Sequence, residues 1–261
     1  MSFKPIPLKP HPNRRNLIVA LLALAIGLGA LGAYGYWRLG RSRSARWLLF
    51  ADYHRNPDKY ADVVLKPGAR CGDAPFAFPI EGAIFGLWDQ SYRIGHHHAG
   101  LDIFPGTEPG VTPIYAVYPG YLTREANWVS TVILRIPSDP LVPGRQIWTY
   151  YTHMASADGL ESFVSEAFPP GTTEVFVEAG TLLGYVGNYS GNPDNPTGLH
   201  LHISVVKDDG QGYFLNELDI ENTYDPSPYF NLNVNDNSNP GEFPRCEKTV
   251  TYADWNLEAG E

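Results

Sequence analysis

The stretch Leu199–Val206, LHLHISVV, places two histidines two residues apart within an apolar run. Such a run is typical of a β-strand, in which successive side chains point to opposite faces. His200 and His202 would then share one face, while Leu199, Leu201 and Ile203 pack on the other. The stretch predicts a pair of imidazoles on a rigid element, although two solvent-facing histidines on a half-buried strand fit the same pattern.

Two further histidine groups precede this stretch. In His98-Ala99-Gly100-Leu101-Asp102, an extended backbone puts the first and last side chains on one face, and Gly100 leaves room between them. His153 ends another apolar run, QIWTYYTH. Two histidines and one aspartate suit zinc, and three protein ligands leave a fourth position for water. Additional histidines exchange protons near neutral pH.

The surrounding sequence predicts a mainly antiparallel β domain. The chain has 26 Gly and 23 Pro, and short apolar runs alternate with turn signals from about residue 76 to residue 206. No long amphipathic helical pattern interrupts these runs, and residues 156–173 are expected to form a loop with room for one short helix. The candidate strands are TPIYAVY, STVILRI, QIWTYYTH, EVFVEA, LLGYVG and LHLHISVV.

Charge is divided unevenly along the chain. Eight of the 19 Lys and Arg residues precede residue 47, whereas all 28 acidic residues follow it. The chain after residue 46 is strongly acidic and repels phosphate backbones, so no nucleic-acid partner is expected.

The basic N-terminal region surrounds an uncharged, almost wholly apolar stretch, Leu17–Trp37. About 20 helical residues cross a bilayer core of roughly 30 Å, so the stretch predicts a transmembrane anchor. A buried core helix is disfavoured, because every face is apolar and both flanks are basic. A cleaved signal peptide stays open, since Ala30-Leu31-Gly32 resembles a small-x-small cleavage site. Lys and Arg balance on the two sides of the span, so the positive-inside rule leaves the orientation open.

The two cysteines, Cys71 and Cys246, flank the predicted β domain. In an oxidising compartment they could form a disulfide that closes a very long loop, with two unpaired thiols as the alternative. Neither belongs to a C-x-x-C arrangement, so a redox motif or zinc ribbon has no support.

Taken in order, the three histidine groups resemble the motifs of the lysostaphin-type zinc metallopeptidases, also called LytM domains. The matching motifs are H-x-G-x-D (His98–Asp102), Y-x-H (Tyr151–His153) and H-L-H (His200–His202). Supporting matches include Phe85-Gly86 upstream and Asp225-Pro226 downstream. The resemblance covers about residues 76–230. It implies an antiparallel β-sheet or sandwich of the lysostaphin-like, duplicated hybrid motif type, here preceded by one transmembrane helix.

The resemblance also implies a division of roles. His98, Asp102 and His202 would bind one Zn²⁺, and His153 and His200 would be the catalytic residues that act on the metal-bound water. No H-E-x-x-H motif is present, so histidine must take the part of the base. Family members cut peptide bonds in peptidoglycan stems or cross-links, which implies peptidoglycan as the partner and an extracytoplasmic domain on a single-pass membrane anchor.

The chain also departs from the family pattern. His96 and His97 directly precede the first motif and are expected to be loop residues at the cleft rim, and Leu199 replaces a proline common before H-L-H. An insert around residues 192–196 and a long loop after His153 are expected to border the cleft, which leaves the substrate preference open.

Two other functions compete with the peptidase. A non-catalytic LytM-like domain would bind peptidoglycan or activate an amidase, but such relatives typically lose one or more of the five site residues, and all five are present here. A cupin-like or non-haem iron oxygenase also uses two histidines and one carboxylate. The bond cleaved, the oligomeric state and any protein partner are left open.

The sequence thus predicts five segments. They are a cytoplasmic tail (1–16), a transmembrane anchor (17–37), a juxtamembrane stalk (38–75), a LytM-type peptidase domain (76–230) and an irregular C-terminal strap (231–261).

Overall fold

The computed structural model describes residues 14–90, 96–232 and 242–255. The chain divides into two compact units, Met1–Ala45 and Arg46–Glu261. Most of the predicted cytoplasmic tail (residues 1–13) and two parts of the predicted strap (233–241 and 256–261) lie outside the described residues.

The N-terminal helix α1 (Arg14–Arg55) contains 42 residues. Its first 22, Arg14–Gly35, are long and apolar enough to cross a membrane by length and composition. The helix ends where Asn56 precedes a proline, because the ring of Pro57 disfavours the helical conformation at the residue before it. A 3-10 helix, Pro57–Tyr60, follows.

The Arg46–Glu261 unit is built on an eight-stranded antiparallel sheet. The strands are β1 (Ala69–Cys71), β2 (Ala83–Gly86), β3 (Leu101–Phe104), β4 (Pro113–Tyr115), β5 (Gly120–Thr123), β6 (Val132–Ile136), β7 (Ile147–Thr152), β8 (Val175–Val177), β9 (Leu182–Tyr185), β10 (Leu201–Lys207), β11 (Thr223–Tyr224) and β12 (Val250–Tyr252). In the large sheet, seven strands follow the order β2-β3-β10-β7-β6-β5-β8, and β11 pairs with β10. The unit also contains the two-stranded sheets β4-β9 and β1-β12. A 3-10 helix (Ile220–Asn222) precedes β11, and a short helix α2 (Ser227–Phe230) follows it.

Strand β10 is the central element, since it pairs with β3, β7 and β11. Leu201, Ile203 and Val205 pack into the main hydrophobic core on one side. His202 and Ser204 alternate with them and therefore lie on the opposite face, where they are also buried. The strand thus separates the core from the candidate site.

The predicted fold class, a mainly antiparallel β domain preceded by an N-terminal apolar helix, is confirmed. Each of the six candidate runs contains a strand, although each strand is shorter than its apolar run. Residues 156–173 contain no helix. Strand β3 begins only at Leu101, so His98 reaches the site from the preceding loop.

A disulfide between Cys71 and Cys246 joins residues 175 positions apart, with the Cα atoms 5.4 Å from each other. Beside it, β1 pairs with β12, so Ala69 lies opposite Tyr252 and Cys71 opposite Val250. The part of the C-terminal segment that the structure describes is therefore fixed to the start of the β domain by a covalent bond and a strand pair.

We expect the double substitution Cys71→Ser, Cys246→Ser to lower the free energy of unfolding by about 5 kcal/mol, the loop-entropy value for a disulfide closing a loop of this length. Urea unfolding of the full-length protein in detergent, followed by tryptophan fluorescence, measures the difference. In excess reductant, the wild type and the variant should unfold at the same urea concentration. Equal stability without reductant would contradict the role assigned to the disulfide.

Candidate metal centre and cleft

Two of the predicted site residues face each other across the β3–β10 pair. Asp102 and His202 are directly opposite in the strand register, and their Oδ1 and Nδ1 atoms lie 2.9 Å apart. Side chains of an opposed pair share one face of the sheet, which explains the contact. Both residues are buried.

His98 completes a three-residue cluster from the loop before β3. Its Nε2 lies 2.9 Å from Asp102 Oδ1 and 3.0 Å from His202 Nδ1. Its Nδ1 lies 2.9 Å from the carbonyl oxygen of Leu87. Because a carbonyl only accepts hydrogen bonds, Nδ1 carries a proton, and Nε2 is the nitrogen directed at the cluster.

The other nitrogen of His202 is also occupied. Its Nε2 lies 2.8 Å from Glu217 Oε1, and this carboxylate oxygen accepts a hydrogen bond from Nε2–H. Nδ1 is therefore the nitrogen directed at Asp102 and His98. Burial would lower the pKa of His202, but Glu217 and Asp102 raise it to about 10. The two carboxylates therefore favour a cationic occupant beside this ring, which a proton or a metal ion provides.

The three facing atoms fit a single metal ion. Asp102 Oδ1, His98 Nε2 and His202 Nδ1 all lie within 4.8 Å of one another, and all three residues are buried. Donors that share one ion at about 2.0–2.2 Å must lie this close together. Burial would raise the pKa of the Asp102 carboxyl, but His98 and His200 hold it well below its ordinary value, so the carboxylate is an anionic donor.

His200 and His153 lie beside the cluster. His200 Nε2 is 3.3 Å from Asp102 Oδ1, and the ring centroids of His153 and His200 are 4.6 Å apart. In each ring Nδ1 contacts a backbone carbonyl, that of Gly198 for His200 at 2.7 Å and that of Tyr189 for His153 at 2.6 Å. Nδ1 therefore carries a proton in each ring, and Nε2 is the nitrogen left for proton exchange.

His153 reaches this position through a positive φ of 76°. It follows the last residue of β7, where Tyr151 faces the core and Thr152 lies opposite His202. Strand alternation would turn His153 to the core side, and the left-handed backbone turns it to the cleft instead. Burial, with the neighbouring His200 and His202 rings, lowers the pKa of His153 to about 3, so the imidazole is neutral at physiological pH.

The five residues line a cleft of about 660 Å³. Trp128, Tyr150 and Phe214 are among its lining residues, as are the hydroxyl-bearing Ser190 and Thr197. Trp128 contacts Tyr150 and Phe214 edge-on or tilted, with ring centroids 5.9 Å and 5.6 Å away. The cleft therefore offers both a cluster of aromatic rings and hydroxyl groups to a ligand.

His96 and His97 lie at this cleft without joining the three-residue cluster. Both are among its lining residues, and His97 Nδ1 is 2.7 Å from Asp89 Oδ1 in an exposed pair. Their placement agrees with loop residues at the rim.

Sequence reasoning missed two polar residues of the site, Ser204 and Glu217. Ser204 Oγ lies 2.9 Å from His202 Nε2, and its position two residues after His202 was a usable signal, because alternation puts both on one face. Glu217 belongs to none of the recognised motifs and is separated from His202 by 15 residues, so no local pattern pointed to it.

No family model and no curated protein match the chain. Similar solved structures include the catalytic domain of a mutant prophage-encoded M23 protein, EnpA, from Enterococcus faecalis. That comparison has 23% identity and a TM-score of 0.34, and covers 55% of this chain and 94% of the other. A protein from Ruminococcus gnavus, lytM, proposed as a glycyl-glycine endopeptidase, gives 22% identity and a TM-score of 0.37 over 60% of this chain. The match spans 59% of the second protein's chain. At this level of similarity the neighbours do not define the function of this chain, which has to be inferred from its own site residues.

Gly86 in β2 makes room for the Asp102 carboxylate. The two residues are opposed in the β2–β3 register, and a Cβ on Gly86 would lie 2.2 Å from Asp102 Oδ2 and 2.7 Å from its Cβ. Those distances are far inside van der Waals contact, so only glycine fits here without moving the aspartate.

Replacing Gly86 with alanine should weaken binding of Zn²⁺, used as a probe of the site, by about 10–100-fold, the loss typical when the support of a metal ligand is removed. Competition with a chromophoric chelator measures the affinity. Gly198→Ala is the matched control, because its new Cβ would meet no atom closer than Phe104 Cε1 at 3.6 Å. Unchanged affinity in a folded Gly86→Ala protein would show that the site tolerates displacement of Asp102.

Proposed function

We propose that the chain is a membrane-anchored zinc metalloendopeptidase that hydrolyses peptide bonds in peptidoglycan stems or cross-links. The observation that carries the proposal is the convergence of three donor atoms, from His98, Asp102 and His202, in a cleft that also holds two further imidazoles. A structural metal site would not need two proton-exchanging side chains beside its ligands.

The donor set suits zinc. Two imidazole nitrogens and one carboxylate oxygen are ligands that Zn²⁺ prefers, and three protein donors are the number found in catalytic sites. When bound at such a site, zinc activates a water molecule near neutral pH and polarises a carbonyl oxygen. Asp102 supplies the negative charge, and Leu87 and Glu217 fix the two ring orientations through the nitrogens that face away from the cluster.

His153 and His200 would transfer protons during the reaction, as general base and general acid. The Nε2 atom of either ring can take a proton from the attacking water or return one to the leaving amine. Their Nδ1 contacts with the Tyr189 and Gly198 carbonyls hold the rings in place. A conjugate imidazolium at either position also stabilises an oxyanion that forms in the cleft.

Peptidoglycan is the proposed substrate because of the motif resemblance. The cell membrane is the proposed location because of the apolar N-terminal helix. The span Arg14–Gly35 would anchor the chain, with the β domain outside the cytoplasm and the residues before it inside. A disulfide between Cys71 and Cys246 suits an oxidising compartment. The acidic body gives no support to a nucleic-acid partner.

We expect the zinc-loaded full-length protein in detergent to release peptides with new termini from peptidoglycan. Single substitutions His153→Ala and His200→Ala should each lower the rate by about 10²–10⁴-fold, the usual contribution of a general acid or base, while one zinc per chain is retained. Mass spectrometry of fragments from several peptidoglycan types identifies the bond. His54→Ala, an exposed histidine on α1 outside the cleft, is the matched control and should keep full activity.

Other outcomes of this experiment would separate the competing functions. One tightly bound zinc without cleavage of any peptidoglycan type would indicate a binding or amidase-activating domain. Iron in place of zinc, with a reaction that consumes oxygen, would identify an oxygenase and contradict the peptidase.

The anchor leads to a separate prediction about the mature protein. We expect the intact mass of the protein from its native envelope to include the whole apolar span, because an uncleaved helix fixes the domain to the membrane. Extraction should require detergent and resist alkaline carbonate. A mature mass that begins after Ala30-Leu31-Gly32, with release into the soluble fraction, would identify a cleaved signal peptide instead.

A further inference from the structure

Glu217 is the one described acidic side chain, apart from Asp102, that contacts the metal-binding cluster. It lies in the segment that joins β10 to the 3-10 helix before β11. Its Oε1 is 2.8 Å from His202 Nε2 and 2.6 Å from Ser204 Oγ. Only 11% of its side chain is exposed, so the carboxylate is held inside the protein on these two contacts.

The contacts of Glu217 define which nitrogen of His202 is available to a metal. The carboxylate oxygen accepts from both His202 Nε2–H and the Ser204 hydroxyl. With the Nε2 proton committed to Glu217, Nδ1 is the nitrogen that faces Asp102 at 2.9 Å. Without that acceptor, the ring loses its charge-assisted hydrogen bond, and Ser204 Oγ at 2.9 Å is the one contact left at Nε2.

The segment that carries Glu217 is itself fixed at several points. The Leu215 amide donates to the Lys207 carbonyl at 3.0 Å, and Asn222 Nδ2 donates to the Asn216 carbonyl at 2.9 Å. The ring of Phe214 packs on Trp148, with centroids 5.4 Å apart. A carboxylate on such a support can hold a partner ring in one orientation.

We propose that Glu217 is the positioning residue for His202, which fixes the ring so that Nδ1 is presented to the metal. The inference rests on the proposed metal site and extends it with a residue from outside the three motifs. It also ties metal binding to the cleft wall, because Asn216 and Leu218, the neighbours of Glu217, line the cleft. A movement of this wall would carry the support of His202 with it.

Zinc affinity of the full-length protein tests the role directly. We expect Glu217→Ala to raise the zinc dissociation constant by about 10–100-fold, the loss typical for the partner of a metal-ligating histidine. Glu217→Gln should lose less, because its amide oxygen still accepts from Nε2–H although the charge is gone. Glu221→Gln is the matched control, since this exposed glutamate makes its described hydrogen bonds through backbone atoms: its carbonyl accepts from Lys207, and its amide donates to Asp219 Oδ1.

A spectroscopic readout separates positioning from general stability. Replacing zinc with Co²⁺ gives visible absorption bands that report the coordination of the metal. In Glu217→Ala these bands should change in energy or intensity, whereas in Glu221→Gln they should match the wild type. Circular dichroism with chelator present establishes which variants are folded. If Glu217→Ala does not fold, the zinc affinity and Co²⁺ bands of Glu217→Gln test the positioning role.

Unchanged zinc affinity and unchanged Co²⁺ bands in the folded Glu217 variants would overturn the positioning role. Peptidoglycan cleavage, followed on the same preparations, distinguishes this failure from that of the proposed function. If the wild type cleaves and the variants bind zinc normally, only the role of Glu217 is wrong. If zinc binding depends on Glu217 but the wild type cleaves nothing, the positioning role stands and the peptidase is wrong.

Discussion

The buried contact between Asp102 and His202 depends on the register of β3 against β10, and the rest of the site is arranged around it. A slip of one residue would turn Asp102 toward the core and bring Leu101 or Ile103 to the site face. The apolar neighbours resist such a slip, because Leu101, Ile103, Leu201 and Ile203 are almost completely buried on the opposite side. Hydrophobic packing on one face thus fixes the polar geometry on the other.

Burying Asp102 is costly unless its charge is compensated. Compensation comes from His98, His200 and His202, each with a nitrogen within 3.3 Å of the Asp102 Oδ1 atom. Glu217 adds a second, partly buried carboxylate behind His202, so the local balance favours a cation at this place. Such a concentration of charged side chains destabilises a purely structural core but suits a metal site, and Gly86 provides the space for the Asp102 carboxylate.

His200 and His153, the two histidines beside the three-residue cluster, are held in place by different contacts. His200 directly precedes β10, and its ring stacks on Phe104 with centroids 4.9 Å apart. His153 depends on a single left-handed residue at the end of β7, a conformation that L-residues adopt at a cost. Such a strained conformation persists where surrounding contacts hold it. Here two hydrogen bonds do this: His153 Nδ1 donates to the Tyr189 carbonyl, and the Met154 amide donates to the Ser130 carbonyl.

The sequence by itself determined the mainly β fold class, the apolar N-terminal helix and the histidine pair at the start of β10, because these follow from local periodicity and composition. It also placed His98 and Asp102 as candidate partners through their spacing. Only the tertiary structure decided that His153 turns into the cleft, since alternation along β7 predicts the core side. Only the tertiary structure brought Glu217 to His202, because a contact across 15 residues through an irregular segment leaves no periodic trace in the sequence.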